Sequence, residues 1–180
     1  MKNIKVSIIV PCWNYAHFLK ECIDSIRNQT YPVHEILVIS DGSPDNCVEV
    51  CKELGVRCIE KPNGGLSSAR NCGIRACTGD YVMCLDADDK LVPGAIEENV
   101  KLIEDDMTIT QTALMEFGDS HQVYSPHETS LKQMLSFNTV YCNAMFPRKA
   151  WVESGGYDES ETMRLGFEDW EFGIQLLNLG

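Results

Sequence analysis

Tyr81-Val82-Met83-Cys84-Leu85-Asp86-Ala87-Asp88-Asp89 decides how the chain is read. The first five residues are apolar, of strand length and without a helical period, which predicts a buried strand. Three carboxylates then follow within four positions. Where extended geometry persists, Asp86 and Asp88 face the same way. Like charges that close repel each other, and a hard divalent cation with oxygen ligands is one way to compensate them. A solvated acidic turn is the other, since Asp is common in turns.

Three further strands precede this one. Val6-Ser7-Ile8-Ile9-Val10 is an apolar run stopped by Pro11, and Phe18, Leu19, Cys22, Ile23 and Ile26 then recur at helical spacing, predicting a helix over 16–29. Glu35-Ile36-Leu37-Val38-Ile39-Ser40 is a second strand, followed by a turn and a short helix that Gly55 ends. Val56-Arg57-Cys58-Ile59 is a third strand, and Leu66, Ala69, Gly73, Ala76 and Cys77 mark one face of the next helix. The order β-α-β-α-β-α-β argues for a parallel sheet wrapped by helices, in which ligands bind outside the carboxyl ends of the strands. Polar motifs at 11–15, 41–43 and 86–89 sit at those ends. Beyond the fourth strand the pattern is less regular: a helix over 93–104 with Pro93 near its first position, a strand over 107–117, a helix over 128–135, a strand over 140–146, a short helix over 148–153, and a last helix opening at Glu168-Asp169.

With 180 residues the chain has the size of one domain with a substantial core. No apolar stretch reaches membrane-spanning length, and the start lacks the features of a signal peptide. The net charge of −12 argues against a nucleic-acid surface. An acidic protein that binds an anion needs local positive potential from a metal, helix N-termini or placed cations. The nine cysteines include no CxxC pair, and nothing answers Cys47/Cys51 or Cys72/Cys77 with a second cluster. This speaks against zinc and against a disulfide framework, and points to a reducing, cytoplasmic compartment. Cys12, Cys22, Cys72 and Cys84 read as small core hydrophobes. His17, His34, His121 and His127 show no ligand spacing.

Each remaining motif has two readings. Asp41, in Ser40-Asp41-Gly42-Ser43, suits a base or sugar hydroxyl, or bonds its own turn. Asn63-Gly64-Gly65-Leu66-Ser67-Ser68-Ala69-Arg70-Asn71 opens a helix with free N–H groups suited to a phosphate, with Arg70 as an added cation or as half of a structural ion pair. Glu168-Asp169 is a carboxylate base on a rigid helix, or simply acid placed at a helix start. Trp151, Tyr157 and Trp170 belong to the core or form a platform for a sugar ring.

Taken together, these residues resemble the inverting family-two glycosyltransferases of the GT-A fold, a Rossmann-like, mainly parallel sheet flanked by helices. The resemblance runs through the opening strand with Pro11-Cys12-Trp13-Asn14, through Asp41-Gly42-Ser43, the loop from Asn63 to Asn71, Asp86-Ala87-Asp88-Asp89 as the DxD segment, Gly155-Gly156-Tyr157-Asp158-Glu159, and Glu168-Asp169. Trp13 stands where the family usually has Tyr.

By position the resemblance implies that Pro11, Trp13, Asn14 and Asp41 line the nucleotide pocket, with Asn63, Gly64 and Arg70 near the donor. Asp86 would lie against ribose and metal, Asp88 would hold a divalent Mn2+ or Mg2+ ion, Asp169 would be the catalytic base, and Glu168 and Trp170 would face the acceptor. It implies a nucleotide-diphospho-sugar donor, UDP-linked, and a glycan or lipid-linked acceptor in cell-surface polysaccharide or glycoconjugate synthesis. Residues 1–90 would form the donor half and 91–180 the acceptor half of one domain that continues past 180. Peripheral contact with the inner face of the membrane stays open. Two rivals are kept: a nucleotidyltransferase, and a nucleotide-sugar-binding domain without turnover.

Overall fold

The computed structural model describes residues 3–126 and 129–179. His127 and the start of the helix expected over 128–135 lie outside them. In chain order, β1 (Val6–Cys12) leads through a 3-10 turn at Ala16–Phe18 into α1 (Leu19–Arg27), then β2 (Glu35–Asp41), α2 (Cys47–Leu54), β3 (Arg57–Lys61), α3 (Leu66–Ala76) and β4 (Tyr81–Cys84). There follow α4 (Ala95–Lys101), a hairpin of β5 (Leu114–Met115) and β6 (Val123–Tyr124), α5 (Leu131–Met134), β7 (Met145–Pro147), α6 (Arg148–Ser154), a 3-10 turn at Glu161–Leu165, and α7 (Glu168–Leu177).

The central sheet has the order β3-β2-β1-β4-β7. The first four strands are parallel, with Val10 opposite Val38 and Ser7 opposite both Glu35 and Val82; β7 runs antiparallel to β4. The chain therefore builds outward from β1 in one direction, then returns to place β4 on its other side. That reversal opens a crevice at the carboxyl ends of β1 and β4.

Side chains alternate between the two faces, as extended strands require. Val6, Ile8, Val10, Val38 and Met83 pack with α1 and α4, whereas Ile9, Leu37, Ile39, Val82 and Cys84 pack with α3, α6 and α7. Both faces are covered, which explains the nearly unbroken apolar runs of β1 and β2. Helix α3 lies close against the sheet: a Cβ added at Gly73 would clash with Ile9 Cγ2. No helix among the described residues is long and apolar enough to cross a membrane.

The second half departs from the sequence expectation. In place of a strand over 107–117, Thr110 makes one antiparallel bridge to Met145 and the chain then turns into the β5–β6 hairpin. Gln111 spends its amide on the Thr139 carbonyl and the Tyr141 N–H, so side-chain bonds stand where ladder bonds were expected. The strand over 140–146 shrinks to β7, and Val140 joins Met134 and Ala144 in a small separate core. Pro93 is not in the helix; α4 starts after Gly94, whose φ is +86°. The helix expected over 16–29 begins as a 3-10 turn.

Candidate active site

The ends of β1, β2 and β4 and the start of α3 meet over a cavity of about 530 Å3, closed on the far side by residues of the Glu161–Leu165 turn and by Glu168. From the end of β1 and the loop after it come Pro11, Cys12, Trp13 and Tyr15. Trp13 is 55% exposed, an indole at a cavity lip instead of in a core. Asn14 is absent from the cavity wall, contrary to expectation. It adopts φ +61°, a conformation Asn tolerates, and its N–H donates to Ser43 Oγ at 2.7 Å. Asn14 is thus the pivot that ties the β1 loop to the β2 loop and turns its neighbours outward.

Asp41 lies in the wall, but its carboxylate is already engaged. It is buried, pairs with Lys61 Nζ at 2.5 Å, and accepts from the N–H groups of Gly64 at 3.0 Å and Gly65 at 2.8 Å. The Asn63 side-chain amide donates to the Asp41 carbonyl at 2.9 Å. Gly42 permits this approach, because a Cβ there would sit 2.7 Å from the Asn63 nitrogen and φ is +64°. Asp41 therefore shapes the glycine loop, and the two N–H groups read as phosphate donors are spent on it.

Arg70 is corrected as well. It is 1% exposed and does not line the cavity. Its Nη1 donates to Glu168 Oε1 at 2.8 Å and its Nη2 to Asp86 Oδ1 at 3.1 Å, with the guanidinium carbon 5.5 Å from the Tyr157 ring centroid. Burial alone would favour the neutral form, but the charges around it, Asp86 foremost, hold it protonated. Arg70 links the acidic loop after β4 to the start of α7.

Asp86 and Asp88 both line the cavity. Asp88 is exposed and accepts no hydrogen bond from the described residues. Asp86 also lies near Asp89 and Cys142, with one ligand-type atom of each within 4.8 Å of the others. Burial, then the charges of Asp86 and Asp88, push the Asp89 carboxyl up to about 6. Asp88 thus carries a charge that no described side chain offsets, beside Asp86, which Arg70 only partly neutralises, and this donor set fits a hard divalent cation.

At α7, the two acids part. Glu168 reaches the cavity wall while paired with Arg70. Asp169 is half-buried and outside the wall; it accepts from Asn138 Nδ2 at 3.1 Å and from the Trp170 N–H at 2.8 Å. Trp170 is not a sugar platform: its indole N–H donates to the Met134 carbonyl at 2.5 Å and it packs on the small core. Trp151 and Tyr157 are also structural, since both donate to Asn71 Oδ1.

Two residues escaped the sequence reading. Arg164 lines the cavity, is exposed, and has its aliphatic stem 3.4 Å from where a Gly65 Cβ would be. Phe167 is 66% exposed and takes φ +73° directly before Glu168-Asp169, a strained conformation for an aromatic residue. The only trace in the sequence is a cation and an aromatic between Glu159 and Glu168, in a stretch without periodicity.

A family model described as "Glycosyl transferase family 2" matches residues 7–166. The chain belongs to glycosyltransferase family 2. Among similar family members is the chondroitin synthase of Pasteurella multocida, 33% identical over 165 residues, covering 86% of this chain and 17% of that one. Two solved structures share the GT-A fold. S. aureus TarS 1-349 in complex with UDP has a TM-score of 0.80 at 19% identity, covering 97% of this chain and 55% of that one. The mannosyltransferase PcManGT from Pyrobaculum calidifontis, in complex with GDP-Man and Mn2+, has a TM-score of 0.77 at 19% identity, covering 100% of this chain and 54% of that one. The chain spans between 17% and 57% of the length of the curated relatives it matches, and about half of these two structures.

Proposed function

We propose that this family 2 domain moves one sugar from a UDP-sugar to a hydroxyl of a glycan or lipid-linked acceptor, with inversion at the anomeric carbon. Residues 1–90 serve the donor and 91–180 the acceptor. The observation that carries this reading is the joining, over one cavity, of an exposed indole from β1, two carboxylates after β4, and the start of the acidic helix α7. UDP and GDP-Man complexes of proteins with the same fold support a nucleotide-sugar donor. A nucleotidyltransferase gains nothing from this geometry, because the loop directly after β1 offers Trp13 and Tyr15 where a basic glycine-rich loop would be needed.

In this reading Trp13 stacks on the base. Asp88, with Asp86 behind it, holds Mn2+ or Mg2+. The bound ion would act as a Lewis acid toward the leaving diphosphate. Arg164 adds an exposed cation beside the glycine loop. Asp169 accepts the acceptor's hydroxyl proton; its two hydrogen bonds fix its orientation. A single displacement needs only one such base, unlike the carboxylate pair of glycoside hydrolysis. Glu168 is committed to Arg70 and positions the helix.

The test separates the two carboxylates. Asp88→Ala should abolish the metal-dependent part of UDP affinity. Asp169→Asn should leave UDP affinity within about twofold and lower kcat by about 100-fold or more, the usual range for a lost general base. UDP affinity that depends on metal to the same degree in Asp88→Ala removes the metal assignment. Full turnover in Asp169→Asn moves the base elsewhere. Donor binding without transfer, in a protein carrying the residues that follow 180 in longer relatives, supports the non-catalytic rival.

A further inference from the structure

Away from the donor cavity, the structure overturns the sequence reading that no residue answers Cys47 and Cys51. Cys47 opens α2 and Cys51 lies one turn later on the same face, both fully buried. Cys58, on β3, packs into the same layer from the sheet side. The three sulfurs lie within 4.8 Å of one another, and none is in a disulfide. Cys12, at the end of β1, is buried in the same layer as Cys47 and Cys51.

We propose that Cys47, Cys51 and Cys58 form a site for a soft d10 cation, Zn2+ or Cu+, with Cys12 the nearest candidate for a fourth sulfur. The donor set is the first argument: it is all thiol, and the layer around it is otherwise built of residues such as Val38 and Ala16. Soft sulfur donors select thiophilic cations and discriminate against Mg2+, Ca2+ and Mn2+. Geometry is the second argument. Zinc–sulfur bonds of about 2.3 Å in a tetrahedron put sulfurs about 3.8 Å apart, so closing the site moves them by about 1 Å at most. The helix start beneath Cys47 contributes positive potential to a site that turns anionic when its thiols ionise. Loading releases the thiol protons to solvent, so uptake weakens as pH falls.

This site is separate from the acidic loop that the proposed function assigns to Mn2+ or Mg2+, and it stands or falls independently of that reading. It touches the donor cavity at one point only, through Cys12, which lines the wall.

The reduced 180-residue chain, freed of metal, is titrated with Cd2+ while thiolate-to-metal charge-transfer absorption is followed in the ultraviolet. One tight equivalent per chain is expected, lost in Cys58→Ser and in Cys51→Ser and kept in Cys72→Ser and Cys142→Ser. Cys58 is half-buried on the edge strand, so its serine variant should fold, which circular dichroism checks. In the wild-type chain, alkylation mapping gives a second readout: bound cation should protect Cys58 from iodoacetamide. Native mass spectrometry after loading with Zn2+, and separately with Cu+, distinguishes the two cations. Absence of a tight phase in the folded wild-type chain, a phase that survives Cys58→Ser, or one lost in Cys142→Ser overturns the proposal.

Discussion

Arg164 is the residue whose role the sequence hid most completely. It is the exposed cation at the cavity, whereas Arg70 and Lys61 are already bound to carboxylates. A charge-assisted hydrogen bond to a diphosphate oxygen contributes about 1.5–3 kcal/mol, so Arg164→Gln should weaken UDP binding by about 10- to 100-fold without altering melting temperature. Isothermal titration with UDP and with uridine checks this, since uridine affinity should not change. An equal loss for both ligands would place Arg164 against the base and not the phosphates. Asp41 and Arg70 show why residue roles were only partly legible. The motifs were found, but their partners lie far along the chain: Lys61 twenty positions from Asp41, Glu168 ninety-eight from Arg70. A sequence shows that a carboxylate sits at a strand end; it does not show that a lysine has already claimed it. Of the expected site, Pro11, Trp13, Asp41, Asn63, Gly64, Asp86, Asp88 and Glu168 meet over the cavity, whereas Asn14, Arg70, Asp169 and Trp170 stand behind or beside its wall.

At the scale of elements, the first half was legible because each strand is an apolar run and each helix has a 3.6-residue face. The second half was not, because its segments close through side chains. Asn71 is the clearest case. Its Nδ2 donates to the Tyr157 carbonyl and to Glu159 Oε1, and its Oδ1 accepts from the Trp151 indole and the Tyr157 N–H. One buried amide thereby fastens α3 to α6 and to the segment leading into the cavity. Asn71→Ala leaves buried partners unpaired at about 1–3 kcal/mol each, so urea denaturation should show a loss of about 3 kcal/mol or more. Glu35 does similar work at the opposite end of the sheet, accepting from Ser7 Oγ, the Thr78 N–H and Thr78 Oγ1. Burial would raise its pKa, but the Thr78 and Ser7 donors outweigh that and hold it below the usual carboxylate range. A depressed folded-state pKa means stability that is full above the unfolded value of about 4.3 and lost as pH falls through the folded value. Wild type should therefore exceed Glu35→Gln in stability at neutral pH, and the gap should close below about pH 4.3, as melts across that range would show.

For the whole molecule, the governing fact is that a chain of net charge −12 presents an acidic wall to a ligand that would itself be an anion. Asp86, Asp88 and Glu168 face the cavity, and burial, with the charges of Asp86 and Asp88 added to it, raises the Asp89 carboxyl beside them. In the proposed site, stacking on Trp13 would give the base a place, while the diphosphate would meet repulsion until a cation intervenes. The energetic consequence can be read as thermal stability, because a ligand that binds only the folded state stabilises it by mass action. UDP at about 100 times its dissociation constant, with Mn2+ present, should add about 2.7 kcal/mol. In a domain of this size that corresponds to a rise in melting temperature of about 5–10 °C. UDP with chelator, or Mn2+ alone, should give a much smaller rise, and Asp88→Ala should abolish the difference between the metal and chelator arms. A full rise with UDP and chelator would mean that Arg164 suffices to neutralise the diphosphate, and the cation would lose its place in the donor site. A larger response to GDP than to UDP under the same conditions would keep the metal and change the base that Trp13 receives.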